Sequence, residues 1–233
     1  MNNQIDFFLG LGQGSWSVKW LSKRLPTITF HAAPHYLHSK NNAAFEENAL
    51  DWVERAYAKT EPGIVIAESQ AAPAVVAAIK AGRITLPSRL ILLQPLGLNY
   101  GSFGKTKRER FESLMRRSRL FWLHKNQALF IPGNFVTFIS IAIDTIMFKR
   151  NLKAALIFAA NQNIVHDVEM LAQRLPIDIY ACTRDSLFPY DELRSRLSPD
   201  LGLRTIEGTH LNRATPKGLN QLKTILHEIG TIK

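Results

Sequence analysis

The chain has 233 residues, 46% of them hydrophobic, with 13 Gly and 11 Pro. That suits one large core carrying an insertion and excludes a low-complexity or fibrous chain. Its one cysteine, Cys182, excludes an internal disulfide framework and a multi-cysteine metal site, and fits a reducing compartment. Net charge is +10. Half of it sits between Lys105 and Arg119, where seven basic residues face only Glu109 and Glu112. A charge run of this kind is a solvated helix face or a surface for an acidic partner or anionic membrane. No recognition-helix or RNA-binding signature accompanies it, so nucleic acid is not an expected partner.

In chain order, Met1 to Asp6 lacks a basic leader, so no secretory signal is expected and the chain reads as cytoplasmic, with peripheral membrane contact through 105–143 the only membrane association foreseen. Ile5 to Leu9 is an apolar run ended by Gly10-Leu11-Gly12-Gln13-Gly14, the pattern of a buried strand entering a tight loop. Ser17 to Arg24 has helical spacing, with Trp16, Trp20 and Leu21 on one side. Thr27 to Phe30 is a second strand, followed by a polar loop over 31–42. Ala43 to Lys59 is a helix with Leu50, Val53 and Tyr57 on one face.

Glu61-Pro62-Gly63 breaks that helix, and Ile64 to Ala67 forms a third strand. Ser69 to Lys80 is the next helix, with Pro73 in its first turn and Gly82 as its stop. Ser88 to Leu93 makes a fourth strand. Strands alternating with helices imply a mostly parallel sheet of about six strands, covered by helices on both faces.

That alternation stops over 99–150, which divides the chain into a core of 1–98 and 151–233 and a helical cap insertion between. No charge occurs from 126 to 143, but Pro132-Gly133-Asn134 interrupts the run, so a membrane span is not expected. Phe130, Phe135, Phe138 and Ile139 are the candidates to line a pocket under the cap. Asn151 to Leu175 has a helical pattern with Leu156, Ile157, Ile164, Val168 and Leu171 as core candidates. Ile177 to Ala181 and Leu201 to Ile206 are the fifth and sixth strands, and Gly218 to Ile229 is a closing amphipathic helix.

In an open parallel sheet, side chains just past the strands' carboxyl ends gather along one crevice. Ser69, Asp185 and His210 hold three such positions. A serine becomes nucleophilic when an imidazole takes its proton, and the imidazole needs a carboxylate to orient it and balance its charge. The oxyanion that follows needs N–H donors, which Gln70 and Leu11 are placed to supply. Ala67 and Ala71 flank Ser69 at two residues on either side, where a strand turning sharply into a helix leaves room only for small side chains.

With these residues in place, the chain resembles the α/β-hydrolase superfamily over nearly its whole length. Phe8-Leu9-Gly10-Leu11-Gly12 is similar to its oxyanion loop, Ala67-Glu68-Ser69-Gln70-Ala71 to its nucleophile elbow, Thr183 to Pro189 to its acid loop, and Gly208-Thr209-His210-Leu211 to its histidine loop. The departures are Leu9 for the usual histidine, alanine for both elbow glycines, and Cys182 for a glycine before the acid. The resemblance implies the fold, the triad roles, a lid after the fourth strand, a small acyl or ester substrate and no cofactor. The alternative is a catalytically silent relative that binds a lipid or protein through its apolar, basic cap.

Other residues carry rival roles. Ser69 is also a good helix N-cap, and Asp191 is a rival acid, although it falls on a helix over 190–197. His31, His35 and His38 match no zinc spacing, so no metal is expected. Glu68 occupies an elbow position that tolerates many residues, and Cys182 reads as a packed strand-end residue. The Gly10 loop lacks the Lys-Ser/Thr of a phosphate-binding loop.

Overall fold

A computed structural model describes residues 4–10, 13, 15–32, 42–98, 104–123, 161–185, 187–208, 213 and 215–231. Six strands form one parallel sheet: β1 (Ile5–Phe8), β2 (Ile28–His31), β3 (Ile64–Glu68), β4 (Arg89–Leu93), β5 (Ile177–Cys182) and β6 (Gly202–Ile206). Their spatial order is β2-β1-β3-β4-β5-β6, with every neighbouring pair parallel. The helices among the described residues are α1 (Ser15–Ser22), α2 (Asn42–Tyr57), α3 (Ala71–Lys80), α4 (Lys107–Leu123), α5 (Val165–Ala172), α6 (Tyr190–Arg194) and α7 (Pro216–Glu228).

The strands are short apolar runs because both faces of the sheet are covered. Side chains alternate between two cores. Phe8, Val65, Ala67, Leu90, Leu92 and Ile179 pack with α2, α3, α5 and α6 through Val53, Val75, Val168 and Leu193. Phe7, Ile66, Ile91, Leu93, Tyr180 and Cys182 face the other way, onto Leu21 of α1 and Leu222, Ile225 and Leu226 of α7. Burying a side chain of this size is worth about 1.5–3 kcal/mol, so the sheet centre is where the fold is most firmly held.

The expected strands are all present, within a residue or two of the expected ends. Val53 and Tyr57 are buried on α2, as are Ile164, Val168 and Leu171 before and along α5. Leu156, Ile157, His35, His38, Phe130, Phe135, Phe138 and Ile139 lie outside the described residues. On α1 the buried positions are Ser17 and Leu21, while Trp16 is exposed. Trp20 instead lies under the Arg24 guanidinium, 3.8 Å from the ring centroid.

Local stop signals behave as the sequence suggests. Gly82 takes φ +68° after α3, its N–H donates to the Ile79 carbonyl, and Arg83 N–H donates to Ala78. This is the paired bonding that closes a helix on a left-handed residue. Thr215 caps α7, its hydroxyl accepting the Gly218 N–H at 3.0 Å, with Pro216 in the first turn.

The basic segment is less free than its composition suggests. Arg110 is buried and donates from Nε and Nη2 to Asn161 Oδ1 at 3.0 and 2.8 Å. Arg117 grips both carboxylate oxygens of Glu192 on α6, at 2.8 and 2.9 Å. Arg108 pairs along its own helix with Glu112. Arg110 and Arg117 therefore fasten α4 to its neighbours, while Lys105, Arg108 and Arg116 are exposed. Among the described residues no helix is long and apolar enough to cross a membrane.

Candidate active site

The sheet order reverses at β1: β2 lies on one side and β3 on the other. Ligands of open α/β sheets bind at such a switch point, beyond the strands' carboxyl ends. Gly10 follows β1 and Ser69 follows β3, so both stand there. A Cβ built on Gly10 would lie 3.1 Å from Ser69 Cβ and 3.4 Å from the Glu68 carbonyl oxygen. Glycine is what lets the first loop pass so close to the elbow.

Ser69 has φ +50°, in the left-handed region. A non-glycine residue held there costs about 1–3 kcal/mol and persists only where its surroundings impose it. Here Ser69 N–H donates to Leu93 at 2.9 Å, and its carbonyl accepts from Ala72 and Leu96. Ala67 and Ala71 are buried on either side, the small residues the turn requires. This conformation explains why α3 begins at Ala71 rather than at Ser69. It also sets aside a simple N-cap role: the cap position is Gln70, with no side-chain capping bond.

The Gln70 N–H belongs to the first turn of α3, whose N–H groups have no partner within the helix. The Gln70 side chain is buried, and among the described residues neither its Nε2 nor its Oε1 has a partner. Leu11, the other oxyanion candidate, lies outside the described residues.

Asp185 follows β5 and is 4% exposed. Its Oδ1 accepts the N–H groups of Leu187 and Phe188 at 2.8 and 3.1 Å, and its Oδ2 accepts from Gln94 Nε2 at 2.8 Å. Three N–H donors suit a carboxylate, which when ionised only accepts. Asp191 lies exposed on α6, outside this cluster. His210 lies outside the described residues, but the loop that carries it leaves β6 through Gly208. The Gly208 carbonyl accepts the Arg184 N–H at 2.8 Å, and Ile206 O accepts Thr183 N–H at 2.9 Å, so the loops after β5 and β6 start side by side.

Four residues that the sequence does not single out as partners complete the picture. Gln94, also left-handed at φ +46°, follows β4 and so stands between the strand ends of Ser69 and Asp185. Arg213 is fully buried; its Nε donates to Glu68 Oε1 at 2.6 Å, its Nη2 to Gln94 Oε1 and its Nη1 to Gln221 Oε1, both at 2.7 Å. Gln13 bonds Glu68 Oε2 and accepts the Arg213 backbone N–H at 3.2 Å. Glu68 is 1% exposed and held by both. It is not a tolerant position but half of a buried ion pair. The rule that selects Asp185, a polar residue just past an apolar strand, would also have selected Gln94.

Cys182 is buried at the end of β5, and desolvation pushes its thiol up to about 11. It is therefore a neutral packing group at ordinary pH. His31 ends β2 and meets Asp6 Oδ2 at 2.8 Å, an acid from β1 rather than from its own loop. Among the described residues no group of three His, Cys, Asp or Glu could hold a metal.

No family model matches the sequence, and no curated protein matches it. Solved structures do match. A lipase-esterase related protein from Clostridium acetobutylicum is similar over 99% of this chain and 95% of its own, at 10% identity and TM-score 0.63. An esterase from Exiguobacterium antarcticum is similar over 99% and 91%, at 12% identity and TM-score 0.61. The NocB thioesterase domain, solved as a covalent complex with a fluorophosphonate nocardicin G analog, is similar over 98% and 94%, at 15% identity and TM-score 0.56. Identities this low speak for the fold alone, and the six-stranded parallel sheet with its helices is consistent with it. The chain has the α/β-hydrolase fold.

Proposed function

We propose that the protein is a serine hydrolase acting on a carboxylic ester or related acyl compound through Ser69, His210 and Asp185. The observation that carries this is the left-handed Ser69 at the switch point, with its hydroxyl-bearing carbon against the Gly10 loop. Strain of that kind points from an observed backbone outlier to a function. Asp185, held by three donors two strands away, supplies the acid. His210, two residues after Gly208 and three before Arg213 in sequence, is assigned as the base.

In this scheme the Ser69 hydroxyl oxygen attacks the acyl carbonyl carbon while His210 takes its proton. Asp185 orients the ring and balances the imidazolium charge. The N–H groups of Gln70 and Leu11 hold the oxyanion. Collapse breaks the bond to the leaving alcohol, which takes its proton from His210. Water, deprotonated by the same ring, then attacks the acyl-enzyme and releases the acid. The segment 99–150 acts as a cap, with Phe130, Phe135, Phe138 and Ile139 facing the acyl group.

A fluorophosphonate probe tests the scheme. The wild type should be labelled, and Ser69→Ala and His210→Ala should not. A wild type that resists labelling yet binds a fatty acyl ligand would mean a silent relative instead; labelling that persists in Ser69→Ala would mean another nucleophile.

A further inference from the structure

We propose that Arg213 is a positioning residue for the triad, acting on Asp185 through Gln94 and on the nucleophile elbow through Glu68. The inference rests on the Ser69–His210–Asp185 assignment above. Its geometry is the buried cluster at the carboxyl ends of β3, β4 and β5, where Arg213, Gln94 and Glu68 are 0%, 0% and 1% exposed.

Stability alone does not account for such a cluster. A buried ion pair is often no better for stability than apolar residues of the same volume. What it supplies is direction. A guanidinium only donates, so each glutamine that meets it must turn its carbonyl oxygen inward. Gln94 accepts from Arg213 Nη2 at 2.7 Å and is left with its NH₂ group pointing away. That group meets Asp185 Oδ2 at 2.8 Å. The amide is thus fixed from both ends, by a pure donor and by a carboxylate.

The same arginine registers the other parts of the site. Its Nε binds Glu68, the residue directly before Ser69, at 2.6 Å. Its Nη1 binds Gln221 on α7, whose own Nε2 donates to the Glu207 carbonyl at 2.8 Å as the chain leaves β6. Its backbone N–H donates to Gln13, in the loop after β1, which also bonds Glu68. This one residue, three after His210 in sequence, therefore ties the elbow and the end of β4 by its side chain, the end of β6 by way of Gln221, and the loop after β1 by its backbone N–H.

Two variants test this by the second-order rate of fluorophosphonate labelling across pH. In that reaction the Ser69 oxygen bonds phosphorus, the P–F bond breaks, fluoride leaves, and the serine proton passes to His210. In the wild type the rate is greatest where the His210 ring is neutral and can take that proton. Gln94→Glu keeps the size of the side chain and its acceptor toward Arg213 but places a carboxyl against Asp185. Among the described residues the charged and titratable groups around it are Asp185, Arg213 and Glu68, with Cys182 beyond Gln221. Two carboxyls at hydrogen-bond distance share one proton. While that proton is held, the introduced O–H donates to Asp185 as the amide did; once it is lost, repulsion displaces the acid.

The labelling rate of Gln94→Glu should therefore stay within about three-fold of wild type at low pH and fall about ten-fold or more below it on the alkaline side. A merely structural loss would lower the rate equally at every pH. Arg213→Lys keeps the charge but not the three directions, and should slow labelling about ten-fold through the chemical step, with initial probe binding unchanged. Circular dichroism checks folding; if Arg213→Lys does not fold, the Gln94→Glu profile decides. A Gln94→Glu profile parallel to wild type, or a folded Arg213→Lys that labels at the wild-type rate, overturns the inference alone. A wild type that is never labelled overturns the triad assignment and the inference with it.

Discussion

The Glu68–Arg213 pair makes a sharp stability prediction. Arg213→Met removes the guanidinium and leaves the Glu68 carboxylate, 1% exposed, with Gln13 as its remaining partner among the described residues. It also strips the acceptors of Gln94 and Gln221 of their donor. Breaking a buried ion pair from one side costs about 3–5 kcal/mol, against a total of about 5–15 kcal/mol for a typical folded protein. With a urea dependence of about 3 kcal/mol per molar, the unfolding midpoint should fall by about 1 M or more. Glu68→Gln should cost a similar amount, because it orphans the arginine. The double variant Glu68→Gln/Arg213→Met should be markedly less damaged than the sum of the two, by about 2–3 kcal/mol, since neither charge is then left buried alone. Urea denaturation followed by tryptophan fluorescence measures all four proteins. Single changes costing under about 1 kcal/mol, or strict additivity, would refute the claim that each buried charge depends on the other for its balance.

Other outcomes follow from single contacts. Gly10→Ala puts a methyl 3.1 Å from Ser69 Cβ; it should cost about 1 kcal/mol of stability and slow fluorophosphonate labelling about ten-fold or more, because the elbow must shift. Gly82→Ala is its control: φ is +68° but nothing lies within 4 Å, so stability should fall by about 1 kcal/mol while labelling is unchanged. Cys182 should resist a thiol reagent at pH 8 in the native protein and react fully once unfolded. Burial raises this thiol from 9.0 to about 11 in the folded state, so the folded form holds the proton longer; the stability this gives is full below about 9 and declines as pH rises through 11. A rising urea midpoint across that window would contradict the assignment. Arg117→Met should release the grip on Glu192 and loosen α4, read as faster hydrogen exchange in α4 with little change over β3 and β4.

The strands were legible because a parallel strand buried on both faces must be a short apolar run, and Ile64–Glu68, Arg89–Leu93 and Ile177–Cys182 are such runs. The places of Ser69 and Asp185 past the ends of β3 and β5 were legible for a related reason: each is a polar residue directly after or near the end of such a run. What was not legible depends on long-range pairing. Arg213 lies 145 residues from Glu68 and 119 from Gln94, and only the fold brings them together. The same holds for Asp6 and His31, 25 residues apart, where the histidine's acid comes from a neighbouring strand. Over 105–119, charge counts do not distinguish Arg110 and Arg117, turned onto Asn161 and Glu192, from the exposed Lys105, Arg108 and Arg116. The start of α3 was placed two residues early, because the left-handed Ser69 at the turn delays the helix to Ala71.

The central claim is that Ser69, His210 and Asp185 form one working unit. A crystal structure of the protein after reaction with a fluorophosphonate tests it in one measurement. The account predicts phosphorus bonded to Ser69 Oγ, one ring nitrogen of His210 within hydrogen-bond distance of that oxygen, and the other bonded to Asp185, with the Gln70 N–H donating to the phosphonyl oxygen. Phosphorus on another residue, or a His210 ring turned away from both Ser69 and Asp185, would contradict it.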